Sequence, residues 1–169
     1  MGYTHLTDIA QFISPSMIGK SAGTWTPSFS GNLAGEAKSA AADSFVLHVP
    51  LALFGSNIGL QGARVKSIKY WYSIAVADLT NFNTVSVVKS TLKANGAACT
   101  GTAVAVTVGA DNDSSVKRIT QASHTLEVTL NTPQFIKDNE ALFLILGATA
   151  AASSAYSHFG ACVYFDLRI

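Results

Sequence analysis

From Ser44 onward apolar and polar residues alternate with a period of two, the spacing that sends side chains to opposite faces of a β-strand. Phe45, Leu47, Val49, Leu51 and Leu53 alternate with Val46, His48, Pro50 and Ala52. Pro50 has no amide hydrogen to donate to a ladder, so an edge or a bulge is expected there. Between Ala63 and Val76, one face carries Ile68, Tyr70, Tyr72, Ile74 and Val76, and the other carries Lys69, Trp71, Ser73 and Ala75. This predicts a long central strand with Tyr70 and Tyr72 in the core and Trp71 on the other sheet surface. Thr84 to Lys93, Thr102 to Val108, Val116 to Thr120, His124 to Leu130, Ala141 to Leu146 and Tyr156 to Ile169 read as six more strands. In the last of these, Phe159, Ala161, Val163, Phe165 and Leu167 are expected on one side. Asn95-Gly96 is a tight-turn dipeptide because both residues tolerate positive φ, so its flanking strands are expected to form a hairpin. Pro133 is expected to end a strand and Gln134 to Glu140 to form a polar turn. About eight strands with turn signals every ten or so residues predict an all-β, jelly-roll-like sandwich of antiparallel strands over residues 44–169. No internal repeat points to a propeller or solenoid.

Residues 1–43 have a different pattern, rich in Gly, Ser, Ala and Thr. The only periodic piece is Thr7 to Ile13, where Thr7 could cap a short helical turn with Leu6, Ile9 and Phe12 on one side. Residues 35–43 read as either a short helix or a loop. Such a segment cannot bury enough of its own apolar surface to fold alone. It is expected as an extended N-terminal arm lying along its own domain or a neighbouring subunit.

Composition sharpens this picture through one number. Only 12% of the 169 residues are charged, against about 25% in ordinary soluble domains. A monomer of this size exposes roughly 8,000 Å², or about 380 Å² for each charged side chain. That sparse charge predicts that neighbouring subunits cover part of the surface. The net charge is +1 and the basic residues are scattered, which leaves no electrostatic footprint for nucleic acid. No apolar run approaches the roughly 18 residues of a membrane span. The first thirteen residues lack the basic and apolar blocks of a secretory signal and include Asp8, so export is expected to be absent or to use another route.

Catalysis needs convergent titratable groups, and few are present. His5, His48, His124 and His158 stand apart, without the spacing that puts two imidazoles on one face. There is no Gly-x-Ser-x-Gly elbow and no Gly-rich phosphate loop. The expectation is a non-enzyme with no cofactor and no catalytic or metal site. Asp111-Asn112-Asp113-Ser114-Ser115 opens like a calcium loop but lacks the Gly and Glu that complete one, so a solvated turn is favoured. Asn112-Asp113-Ser114 also fits the glycosylation pattern, a match common by chance. Cys99 and Cys162 could form at most one disulfide, and two separate thiols are the simpler reading.

The strand "RVKSIKYWYSIAVADLT", the hairpin segment "NTVSVVKSTLKANGAACTGTAVAVTV", the pair "HTLEVTLNTPQFIKDNEALFLIL" and the aromatic last strand "FGACVYFDLRI" together resemble the jelly-roll virion structural proteins of tailed phages. The resemblance covers about two thirds of the chain and is one of pattern, without a diagnostic motif. It implies a capsid decoration (cement) protein, made in the host cytoplasm and carried on the virion surface. Its partners would be the major capsid protein and further copies of itself, in a trimer. Leu6, Ile9, Phe12, Ile13 and Trp25 of the arm and Trp71 of the long strand are the expected contacts. The alternative is a receptor- or carbohydrate-binding module of a tail fibre, with Trp71 and Asp111 to Asp113 as contacts.

Overall fold

A computed structural model describes residues 6–30, 33–51, 64–93, 98–137 and 139–168. These residues form two antiparallel sheets packed face to face, as the alternation from Ser44 predicts. The strands are β1 (Leu6–Ile13), β2 (Gly19–Lys20), β3 (Trp25–Ser30), β4 (Leu33–Lys38), β5 (Ser44–Pro50), β6 (Arg64–Ala75), β7 (Asn81–Thr91), β8 (Thr100–Val104), β9 (Val106–Val108), β10 (Ser123–Phe135), β11 (Glu140–Thr149) and β12 (Ala155–Arg168). The larger sheet runs β3-β4-β12-β6-β10-β9, with β1 also paired to β12. The smaller one runs β2-β5-β11-β7-β8. Counted from β4, the strands take jelly-roll order, with β4-β12-β6-β10 in one sheet against β5-β11-β7-β8 in the other.

The core lies between the sheets. Ile68, Tyr70, Tyr72, Leu126, Val128, Val163 and Phe165 point inward from the larger sheet, and Phe45, Leu47, Val49, Leu142, Leu144 and Leu146 face them. Tyr70 and Tyr156 are fully buried, and their hydroxyls join in a 2.8 Å hydrogen bond, so neither polar tip is left unsatisfied. Pro50 closes β5 opposite Phe143, beyond His48, where β2 stops. Among the described residues no ladder partner lies on that side, so its missing amide hydrogen breaks no ladder bond there. β7 and β8 pair as the expected hairpin, with Val87 opposite Val104. The Asn95-Gly96 turn itself, like Leu53, falls outside the described residues.

Several expectations need correction. The described residues of the N-terminal stretch lie along their own domain, one of the two expected placements, and do so as the sheet strands β1 to β4. β1 forms an eight-residue ladder on β12, from Leu6 opposite Arg168 to Ile13 opposite Ala161. That ladder satisfies backbone groups that an arm would leave to solvent. Thr7 to Ile13 is accordingly strand and not helix, which puts Ile9 and Phe12 on opposite faces. Residues 35–38 belong to β4, and the alanines beyond them form a loop. Val116 to Thr120, expected as strand, lies largely in the short helix α1 (Ser115–Ile119), where the Ser114 hydroxyl accepts a hydrogen bond from the Lys117 amide as a cap. β10 continues through Pro133 to Phe135, because a break in pairing between Thr129 and Gln134 accommodates the proline.

The alternation of β12 also slips once. Across β6, His158 faces Tyr72 and Gly160 faces Trp71, so Phe159 is an extra residue. Gly160 has φ +100°, which glycine adopts without the steric penalty of a side chain. This bulge separates Phe159 from Ala161, Val163 and Phe165 and sends it to the outer face.

Candidate binding groove

The bulge builds a hollow on the outside of the larger sheet. The edge of β12 is shared between two partners, β4 along Tyr156 to His158 and β1 along Ala161 to Arg168. Phe159 and Gly160 sit between them. Gly160 lies beside Trp71, and the place a side chain would take there is filled by the Ile13 carbonyl and the Phe12 ring, which brings Phe12 to the wall of the hollow. The cavity measures about 570 Å³, and its walls include Phe12, Leu33, Trp71 and Phe159, with Ser123 and Thr125 supplying polar atoms. This volume is within the range of small-ligand and side-chain pockets. Among the described residues, no Asp, Glu, Lys or Arg lines it.

The rim is apolar and open to solvent. Phe12 and Leu33 are each 58% exposed, and Phe29, opposite Ala34 across the β3–β4 hairpin, is 79% exposed. Side chains this large and exposed, gathered around one concavity, mark a surface that gains free energy when something covers it. The charges in the neighbourhood are already paired. Lys69 meets Glu127 at 2.6 Å on the same outer face, and Arg64 and Lys66 both hold Asp166, at 3.1 and 3.0 Å. Lys20 pairs with Glu36, Lys38 with Asp43, and Lys89 with Glu140. A surface with its ions matched internally offers a partner shape and apolar area more than electrostatic attraction.

The six expected contacts separate. Phe12 and Trp71 meet at the groove. Ile13 is fully buried in the core, and Ile9 packs against it from β1. Trp25 is half-buried and acts as a lid, with its ring edge-on to Phe45, Tyr156 and His158 and its indole N–H donated to Ala22 O at 2.8 Å. Leu6 lies on β1 opposite Arg168, and its side chain falls outside the described residues. Leu33 and Phe159 were not anticipated. The only sequence signal for Phe159 is the glycine after it, in a strand otherwise free of turn residues.

The Asp111 to Asp113 segment has a structural task. Asn112 is buried, and its amide donates to Thr125 O at 3.0 Å. Arg118, also buried, donates to Asn112 O at 2.7 Å and Phe82 O at 3.0 Å, while its own carbonyl accepts from the Tyr72 hydroxyl at 3.0 Å. Asp113 forms a 3.0 Å ion pair with Lys117. Among the described residues no three His, Cys, Asp or Glu side chains converge as a metal site. His124 stacks on Tyr72 at 4.7 Å and reaches Thr120 O at 2.9 Å. Cys99 is exposed and Cys162 half-buried, and both are free thiols.

No protein-family model matches the sequence, and no curated protein matches it. Among solved structures, the enzymatically active domain of tailspike protein 4 of bacteriophage CBA120 overlaps 95% of this chain, with a TM-score of 0.33 and 10% sequence identity. The chain spans about a fifth (19%) of that structure's length. An overlap this loose assigns neither family nor activity.

Proposed function

We propose that the chain is a virion structural protein of the capsid-decoration type, which stabilises a shell by binding the major capsid protein as a homotrimer. The observation that carries this reading is the groove with its exposed apolar rim, Phe12, Leu33 and Phe29, on a surface whose nearby charges are already paired. Sparse charge over the whole chain agrees with a subunit that spends its life against other proteins. Because β1 to β4 are folded into the sheets, contact with the shell is made by this outer face and not by a free arm. The test is light scattering of the purified chain, followed by co-sedimentation with capsid shells of the encoding virus that lack it. A trimer that saturates the shells is the expected result. A clean monomer left in the supernatant overturns the proposal.

One observation favours a second reading, a carbohydrate-binding module of a tail fibre. Trp71 stands beside the hydroxyl-bearing Ser123 and Thr125 in a cavity of ring-sized volume. An aromatic face with adjacent hydroxyls is what a sugar ring stacks on and hydrogen-bonds to. Glycan-array binding that is lost in Trp71→Ala would favour this reading over the first.

A further inference from the structure

On the inner side of the groove wall, β12 buries a histidine in an unusual setting. His158 is fully buried, and its Nδ1 has no hydrogen-bond partner among the described residues. Its Nε2 stands 3.5 Å from Glu36 Oε2, too far for a good hydrogen bond. The groups facing it are Lys20 from β2, Glu36 from β4 and Tyr70 from β6, whose ring is stacked at 6.2 Å. Trp25 from β3 closes the site, edge-on at 5.5 Å. Lys20 and Glu36 form an ion pair across the two sheets, so the carboxylate nearest the imidazole is already matched by a cation.

The element covering this site is weakly attached. β3 and β4 form a hairpin whose outer edge, β3, has no further strand beside it among the described residues. β4 pairs with β12 over only three residues, with Lys38, Ala37 and Glu36 opposite Tyr156, Ser157 and His158. The approach is close, since any side chain at Gly35 would overlap the His158 carbonyl and the Phe159 ring. A short ladder at a sheet edge belongs to the low-stability end of a fold and opens without the rest.

We propose that His158 and the shell around it form an acid-sensitive latch that holds the β3–β4 hairpin, and with it the Leu33 and Ala34 wall of the groove, against β12. While the hairpin is docked, the imidazole is neutral among aromatic rings. Adding a proton there creates a buried cation beside Lys20, with Glu36 already engaged. Undocking removes the Trp25 lid and lets the imidazolium reach water. Burial first, then the nearby Lys20 charge, hold the His158 pKa down at about 4, against the opposing pull of Glu36. In an open, solvated state it returns to about 6.5. Protons therefore favour release: the opening constant rises as pH falls from about 6.5 and levels off near 4, by on the order of a few hundredfold. The consequence reaches the groove, because release dismantles one of its walls and frees the Tyr156 to His158 edge of β12 for another strand. The latch does not depend on which partner the groove takes.

Hydrogen exchange, corrected for the intrinsic effect of pH, tests this on the full chain. Between pH 6.5 and 4.5, residues 25–38 should lose protection while β6 and β10 keep theirs, and His158→Gln, which cannot take up the proton, should flatten that response. Simultaneous loss in all strands overturns the latch, as does an unchanged response in a folded His158→Gln variant. Should that variant not fold, Trp71→Phe leaves Trp25 as the sole tryptophan to report the hairpin. Its fluorescence transition must then coincide with the His158 titration followed by nuclear magnetic resonance; separate midpoints overturn the proposal.

Discussion

Gly160 faces the carbonyl oxygen of Ile13 across a gap that leaves no room for a methyl group. This contact fixes how closely β1 approaches β12, and the bulge at the same glycine turns Phe159 outward. Gly160→Ala would combine a left-handed backbone angle, costing about 1–2 kcal/mol, with an overlap that only a shift of β1 can relieve. A loss of about 3 kcal/mol is expected from the urea midpoint. Gly19 makes only ordinary contact with His48, so Gly19→Ala should change stability by no more than about 1 kcal/mol. Equal effects at the two positions would show that the bulge is not what holds β1 in place.

The Arg118 knot predicts a contrast within one loop. The guanidinium is buried and donates to two backbone carbonyls, Phe82 O and Asn112 O. Arg118→Met would leave both oxygens unsatisfied and should cost about 3 kcal/mol. Asp111 and Asp113 are exposed, so Asp111→Ala and Asp113→Ala should each stay within about 0.5 kcal/mol. Thermal unfolding of the three variants, with and without added calcium, checks both halves. A calcium-dependent gain that disappears with either aspartate would reassign the loop to metal binding.

Alkaline pH tests the tyrosine core. Burial raises the pKa of Tyr70, Tyr72 and Tyr156 above the ordinary value, and for Tyr156 the neighbouring Tyr70 adds to the effect. The folded state thus holds three protons that the unfolded chain releases near pH 10. Their stabilisation is intact below that pH and declines as pH rises toward the folded values, by up to about 4 kcal/mol per pH unit when all three are involved. Ultraviolet absorbance should show these phenols ionising only as the near-ultraviolet circular dichroism collapses. Ionisation near pH 10 with native dichroism intact would contradict their burial.

How far the sequence revealed this arrangement depended on how well side-chain period reports burial. In β6 every second residue from Ile68 to Ile74 is buried, so alternation alone placed Tyr70 and Tyr72 inside and Trp71 outside. In β3 and β4 the pattern fails because Phe29 and Leu33 face solvent while Gly35 and Lys38 are buried. Binary patterning reads such a segment as unstructured, although its strands are fixed by ladders that any sequence can make. The groove was hidden for a related reason. It depends on a one-residue slip at Gly160, and a slip moves Phe159 to the opposite face from the one its period predicts. Phe12 and Trp71 were identifiable as candidate contacts, but their meeting was not, since β1 and β6 touch only through β12.

The groove predicts a separation between stability and binding. Phe12 and Leu33 are more than half exposed, so Phe12→Ser and Leu33→Ser remove little buried area and should shift stability by less than about 1 kcal/mol. If the shell covers the groove, each should weaken co-sedimentation roughly tenfold, because the same side chains lose contact area only in the complex. Trp71 sits deeper, beside Thr125, and is the better anchor; Trp71→Ala should weaken binding by about 30-fold or more, equivalent to about 2 kcal/mol. Mutual dependence is the sharper criterion. A Phe12→Ser, Trp71→Ala double variant should lose less than the sum of the two, since both side chains line the same cavity. Unchanged co-sedimentation of all these variants would mean that the partner lies elsewhere, with the apolar outer residues of the smaller sheet, Val88 and Phe143, as the next surface to alter.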